Sequence, residues 1–157
     1  MNYIVAYTTI NIVNLVMDQK VELKDIDVVS CINMRIRMLN RLVNKMYAEP
    51  LRPIGISTAQ QNILFLVGKM KKVSQQQIGK MLFLEKSTVT RELNALRTRG
   101  FIRKSDELPS FMVELTKSGN QLIELMIPQW LRVQGELLKI IGKGGSESIN
   151  KLLKSLQ

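Results

Sequence analysis

Residues 74–102 read SQQQIGKMLFLEKSTVTRELNALRTRGFI, and their punctuation decides the fold. Ser74 with Gln77 three positions on is a capping box, so a short helix opens there with Ile78, Met81 and Leu82 turned inward. A tight break is expected at residues 83–86. A second helix should run from about Ser87 to Thr98 and stop at Gly100, a glycine in the C′ position. Two helices joined by so short a turn form a helix-turn-helix.

Working outward, FIRK at residues 101–104 and FMVEL at 111–115 read as two short strands around a loop that holds Pro109. They make a wing, and a winged helix-turn-helix is an arrangement that reads nucleic acid. Thr116 should cap a long helix from Lys117 to about Ile141, bent near Pro128. After Gly144 and Gly145, Ser146 should cap a last helix with Ile149, Leu152, Leu153 and Leu156 on one face. In the other direction, Ser57 and Gln60 form another capping box, with Ile63, Leu64 and Val67 inward and Gly68 closing the helix. From residue 28 to residue 46, Ile32, Ile36, Leu39, Val43 and Met46 recur at helical spacing among Arg35, Arg37, Arg41 and Lys45. Pro50, Pro53 and Gly55 end that stretch. The expected fold class is mainly α with a small β-hairpin wing: a winged helix-turn-helix with N- and C-terminal dimerisation helices. Residues 57–116 form the module, 28–56 and 117–157 the dimerisation helices, and 1–27 an N-terminal extension.

The second helix of the pair has two faces. Wound at about 100° per residue from Val89, Leu93 and Leu96 fall within about 40° of it, and Ser87, Arg91, Asn94 and Thr98 at about 140–200°. Thr88 and Thr90 flank them. In the major groove, Arg suits guanine, Asn suits adenine, and Thr suits a thymine methyl or a phosphate. A solvated surface helix would look similar by itself, so the surroundings decide. Residues 69–104 hold ten Lys or Arg against two Glu, most of the chain's net charge of +10. A local surplus of that size favours a polyanionic partner. The expected contacts to double-stranded DNA are Gln76, Lys86, Ser87, Thr88, Thr90, Arg91, Asn94, Thr98, Arg103 and Lys104.

Other classes are excluded on composition. The chain has no histidine, which removes the usual imidazole base, the commonest metal ligand and the physiological pH switch together. No phosphate loop, paired-carboxylate spacing or nucleophile elbow appears, so no enzyme, metal or cofactor is expected. The apolar start, MNYIVAYTTINIVNLVM, is interrupted by Thr8, Thr9, Asn11 and Asn14 and is too short to span a bilayer. It precedes the first positive side chain, Lys20, and lacks a cleavage site, so it reads as an extension rather than a leader. MDQKVELKD from Met17 reads as an ordinary protein start. The single cysteine fits a reducing cytoplasm.

Residues 74–102, together with LTKSG at 115–119, resemble the multiple-antibiotic-resistance regulator (MarR) family of repressors. So do Tyr47, LRPIGIS at 51–57 with Gln60, and PQWL at 128–131 with Gln134, and the likeness spans residues 28–157. It implies a homodimer with interlocked terminal helices, reading a pseudo-palindromic operator with recognition helices about 34 Å apart. It also implies release from DNA by a small aromatic or other apolar effector, or by cysteine oxidation. Two departures stand out. The wing tip, DELPS at 106–110, is acidic and lacks the family's Arg, leaving wing contacts to Arg103 and Lys104. The family's peroxide-sensing cysteine would fall at Asn33; Cys31 lies two residues earlier, about 200° around the helix.

The sequence therefore reads as a sequence-specific transcriptional regulator, a ligand-responsive repressor. Redox sensing through Cys31 and sequence-indifferent, nucleoid-type DNA binding are the alternatives. Met126, Trp130 and Tyr47 are the candidate lining of an effector cleft, although Trp130 reads first as core or dimer interface. Cys31, beside an apolar stripe, reads most simply as a buried small residue.

Overall fold

Asp27 sets where the first long helix begins. Its Oδ1 accepts the Val29 and Ser30 amides, both at 3.1 Å. This turn holds the chain out of helix, so α1 runs over Ile32–Ala48 instead of starting at residue 28. The computed structural model describes residues 22–105 and 112–156. The chain divides into two units, Met1–Arg41 and Leu42–Gln157, each described by itself. The readings of residues 1–16 as an extension and of 106–110 as an acidic wing tip lie outside the described residues. No residue of α1 is buried, though Val43 and Met46 of its apolar stripe are half-buried. Among the described residues no helix is long and apolar enough to cross a membrane.

In the second unit a 3-10 turn over Glu49–Ile54 leads to α2 (Thr58–Met70), where Ser57 Oγ accepts the Gln60 amide at 3.1 Å. Gln60 Oε1 accepts the Ser57 amide in return at 3.2 Å, so the capping box is present. Gly68 does not end α2, as the sequence suggested. It sits inside the helix because a Cβ there would stand 3.0 Å from Ile123 Cδ1 and 3.1 Å from Leu115 Cδ1. A two-residue strand that the sequence did not announce, β1 (Val73–Ser74), follows. Next come α3 (Gln75–Leu82), opened by the Ser74–Gln77 box at 3.2 and 2.9 Å, and α4 (Lys86–Thr98). Gly100 ends α4 with φ 74°, the left-handed geometry its position asked for.

The wing strands are β2 (Ile102–Lys104) and β3 (Met112–Leu115), antiparallel, with Ile102 opposite Leu115 and Arg103 opposite Glu114. β1 pairs with the other edge of β3, Val73 opposite Val113, which makes the sheet three-stranded in the order β1-β3-β2. The last helix, α5, covers Lys117–Ser155. Its helical dihedrals hold through Pro128 and depart at Gly142 (φ 62°, ψ 178°). The expected end near Ile141 is therefore real. Gly144 and Gly145, however, lie within the helix beyond the break, and Ser146 is not a cap. A glycine with positive φ is where a helix yields most cheaply.

One core serves these elements. Ile63, Leu64 and Val67 of α2 and Ile78 of α3 meet Val89, Leu93 and Leu96 of α4, with Ile102 and Val113 of the sheet and Leu122 and Met126 of α5. Each such side chain, fully buried, contributes about 1.5–3 kcal/mol.

The start of α5 is fastened to the end of α4. The Thr116 amide donates to the Phe101 carbonyl at 3.0 Å, and the hydroxyls of Thr116 and Ser118 donate to the Gly100 carbonyl at 2.6 and 2.8 Å. Thr116 Oγ1 also accepts the Gly119 amide at 3.1 Å as the helix cap. At Gly119 the helix passes so near the chain that a Cβ would lie 2.0 Å from the Phe101 carbonyl oxygen. That atom belongs to backbone and cannot rotate away. Gly119→Ala is expected to lower stability by about 3 kcal/mol, the upper range for overpacking, read as a lower urea midpoint at unchanged denaturant slope. An unchanged midpoint would mean that the two segments part without cost.

Candidate nucleic-acid interface

Between α3 and α4 the chain turns through Phe83, whose φ of 52° is left-handed, unusual for an aromatic residue. The Leu84 amide closes the turn on the Gly79 carbonyl at 2.9 Å. Gly79 allows this approach, since a Cβ there would stand 3.1 Å from Leu84 O. α4 then sinks Val89, Leu93 and Leu96 into the core. Its opposite face carries Ser87, Thr90, Arg91, Asn94 and Thr98, all exposed, with Thr88 half-buried. The exposure matches the angular reading residue by residue.

Two hollows border this face. One, of about 630 Å³, lies between α3 and α4 and brings Gln76 and Lys86 together with Gln75, Gly79, Lys80 and Leu84. A smaller one, of about 60 Å³, lies between α4 and the wing, where Thr90 and Asn94 meet Arg103 and Lys104. Nine of the ten expected contact residues line these hollows or stand on the exposed face of α4, α3 or the wing, and half-buried Thr88 sits at the edge.

The polar groups of the face are already bonded to one another. Gln75 Nε2 donates to Thr90 Oγ1, which donates in turn to the Lys86 carbonyl at 2.8 Å. Arg97 donates to Asn94 Oδ1. Arg91 gives Nε–H and Nη2–H to Glu92 Oε1 at 3.1 and 2.9 Å. In the wing, Arg103 Nη2 pairs with Glu114 Oε1 at 2.8 Å across the β2–β3 ladder. Sequence reasoning passed over Gln75, Arg97 and Glu92. Arg97 stands about 80° and Glu92 about 300° from Val89, on the flanks of the helix rather than at its polar centre.

Not every cation of the basic segment faces outward with these. Arg99 donates from Nη1 to the Gly55 carbonyl at 2.6 Å and from Nη2 to the Ile54 carbonyl at 3.0 Å. Its guanidinium lies 4.9 Å from the centre of the Phe101 ring. Arg99 thus ties the end of α4 to the turn before α2.

The expected effector residues separate. A groove of about 340 Å³ is lined by Trp130 with Phe65, Leu115, Ile123, Ile127 and Leu131, and Trp130 meets Phe65 edge to face at 6.1 Å. Met126 is not part of it, because its side chain is fully buried in the core. Tyr47 is not either: its hydroxyl donates to Gln134 Oε1, one turn past Trp130. Burial raises the Tyr47 pKa above its usual 10.0. Cys31 is exposed, not buried as expected: it precedes α1, and nothing among the described residues covers it.

Residues 54–108 match the family model described as MarR family. An uncharacterized HTH-type transcriptional regulator of Bacillus subtilis, YwoH, is 27% identical over 116 residues, covering 73% of this chain and 85% of the relative. A crystal structure of an Escherichia coli MarR mutant complexed with operator DNA superposes with a TM-score of 0.71 at 21% identity, over 82% of this chain and 94% of that one. Bordetella bronchiseptica BpsR, whose DNA binding is regulated by 6-hydroxynicotinic acid, superposes at 0.73 with 17% identity, over 83% and 96%. At these identities the superpositions report a shared fold.

Proposed function

We propose that this chain, whose residues 54–108 match the MarR family model, is a member of that family of helix-turn-helix transcriptional regulators and a homodimeric, ligand-responsive repressor of a pseudo-palindromic operator. The observation that carries this reading is the exposed face of α4, with Arg91 and Asn94 at its centre and the apolar side of the same helix fixed in the core. Arg91 reads a guanine edge, Asn94 an adenine edge, and Ser87, Thr88, Thr90 and Thr98 approach the backbone or thymine methyl groups. Gln76, Lys86, Arg103 and Lys104 take phosphates on either side. The working compartment is the cytoplasm, where DNA and a reduced Cys31 coexist.

Apolar side chains left in the open argue for the dimer. Ile32, Ile36, Leu39 and Leu42 on α1, and Leu125, Leu131, Ile140, Leu152 and Leu153 on α5, are all exposed in the single chain. Exposed apolar rows along a helix mark surfaces that a partner covers. The groove beside Trp130 suits a small aromatic effector, the ligand class that regulates BpsR. Such a ligand acts by binding the DNA-incompetent arrangement more tightly than the competent one.

Three outcomes are expected. In sedimentation velocity the protein should run as a dimer at micromolar concentration, and a stable monomer there would end the dimer reading. In binding assays the operator complex should exceed random duplex by about 10³-fold or more. Arg91→Ala should cost about 1–3 kcal/mol on the operator and relax preference at one position per half-site. Lys86→Ala should instead weaken all sequences alike and reduce the salt slope by about one unit. Equal affinity for operator and random DNA would favour the nucleoid-type alternative. Finally, Trp130 is the only tryptophan in the chain, so its emission reports the groove directly. An aromatic acid that releases the operator should shift that emission over the same concentration range; release with silent fluorescence would put the effector elsewhere.

A further inference from the structure

Glu92 sits directly beside the arginine assigned to base reading, yet points the other way. Its side chain is only 12% exposed while that of Arg91 is 72% exposed. Both Glu92 oxygens are engaged. Oε1 accepts Arg91 Nε–H and Nη2–H, and Oε2 accepts Gln60 Nε2 from α2 at 3.0 Å. Gln60 is itself fixed, because its Oε1 accepts the Ser57 amide in the capping box at 3.2 Å. The carboxylate is thus held from behind by the frame of the module, and it holds the arginine in front.

A guanidinium has five N–H groups in a rigid plane. Glu92 uses the side edge, formed by Nε and Nη2. The end edge, formed by Nη1 and the second Nη2 hydrogen, has no partner among the described residues. Two parallel donors on that edge are what O6 and N7 of a guanine accept. A free arginine samples many rotamers and must lose that freedom on binding, whereas one already clamped does not. The neighbouring negative charge also weakens the pull of Arg91 on phosphates, the sequence-independent part of DNA affinity. Both effects push in one direction.

We propose that Glu92 is a specificity-determining positioning residue: it clamps the side edge of Arg91 so that the end edge is presented to a base and kept from the phosphates. This rests on the reading of Arg91 as a base reader. Removing the clamp should leave an arginine that still attracts DNA but discriminates less.

The test compares Arg91→Ala, Glu92→Gln and the double variant on a library covering every base at each operator position, with thermal melts alongside. Glu92→Gln should cut the ratio of operator to random-duplex affinity about tenfold, as expected for losing a preorganised charge-assisted contact. The loss should fall at the same base position that Arg91→Ala flattens, while random-duplex affinity stays equal or rises. In the Arg91→Ala background, Glu92→Gln should change the profile no further. If Glu92→Gln unfolds the module, Gln60→Met serves in its place: it removes the donor to Oε2 together with the capping-box acceptor of the Ser57 amide, the second loss being read from the melts, and should flatten the same position to a smaller degree. A Glu92→Gln profile that is unchanged, or lowered evenly across all sequences, overturns the proposal while Arg91 keeps its role. An Arg91→Ala profile that is lowered evenly overturns the base-reading role and the clamp together.

Discussion

A side chain at Gly119 would collide with backbone, because the Phe101 carbonyl oxygen stands 2.0 Å from where its Cβ would be. The geometry of the reading head depends on that contact. Phe101 is the third residue after α4 and immediately precedes the wing strand β2, while Gly119 lies in the first turn of α5. Three hydrogen bonds from Thr116 and Ser118 to Gly100 and Phe101 close around the same point. A displacement of α5 that keeps these bonds must carry the end of α4 with it. The groove lined by Trp130 and Leu131 is built partly on α5 itself. The proposed effector, bound there, would work on a lever whose other end is the helix proposed to read DNA, with packed side chains and backbone bonds between.

The reading face is prearranged rather than open. Gln75 holds Thr90, Arg97 holds Asn94, Glu92 holds Arg91, and Glu114 holds Arg103. Bonds between exposed groups are individually weak, about 0.2–1 kcal/mol for an exposed ion pair. They set which rotamer is populated without locking it against a better partner. DNA can therefore displace Arg97 from Asn94 at small cost, while Glu92, mostly buried and backed by Gln60, is a firmer support.

Much of this was legible in the residues. The Ser57 and Ser74 capping boxes, the Gly100 stop and the two faces of α4 are local consequences of spacing, and each appears where the sequence placed it. What escaped depends on partners far along the chain. Gly68 looked like a helix end because a glycine usually is one; it is interior because Leu115 and Ile123 press against it from β3 and α5. β1 is too short to carry a strand pattern and exists only because β3 offers it an edge. Met126 was placed in a cleft with Trp130, but it stands about 40° around α5 from Trp130, at the centre of the buried face with Leu122 and Val133, and is fully buried. Cys31 was judged from the apolar company it keeps on α1, and that company is itself uncovered in the single chain.

That uncovered company bears on how much one chain can read. Two side chains of α4, Arg91 and Asn94, have the chemistry for bidentate base contacts, each worth about 1–3 kcal/mol of discrimination. The best case for one module is then about 6 kcal/mol, less whatever is lost in freeing Asn94 from Arg97. Specific recognition commonly asks for about 4–10 kcal/mol over random sequence. One module reaches only the lower part of that range, and two modules on one site double the number of bases read. A rigid join keeps more of that gain than a flexible link, because less entropy is lost when the second module engages. The exposed Ile, Leu and Met side chains of α1 and α5 lie outside the helix-turn-helix and its wing, which leaves the reading face clear while a partner covers them. Apolar surface that a single folded module cannot bury is in this way the same feature that allows a small, basic reading head to become selective.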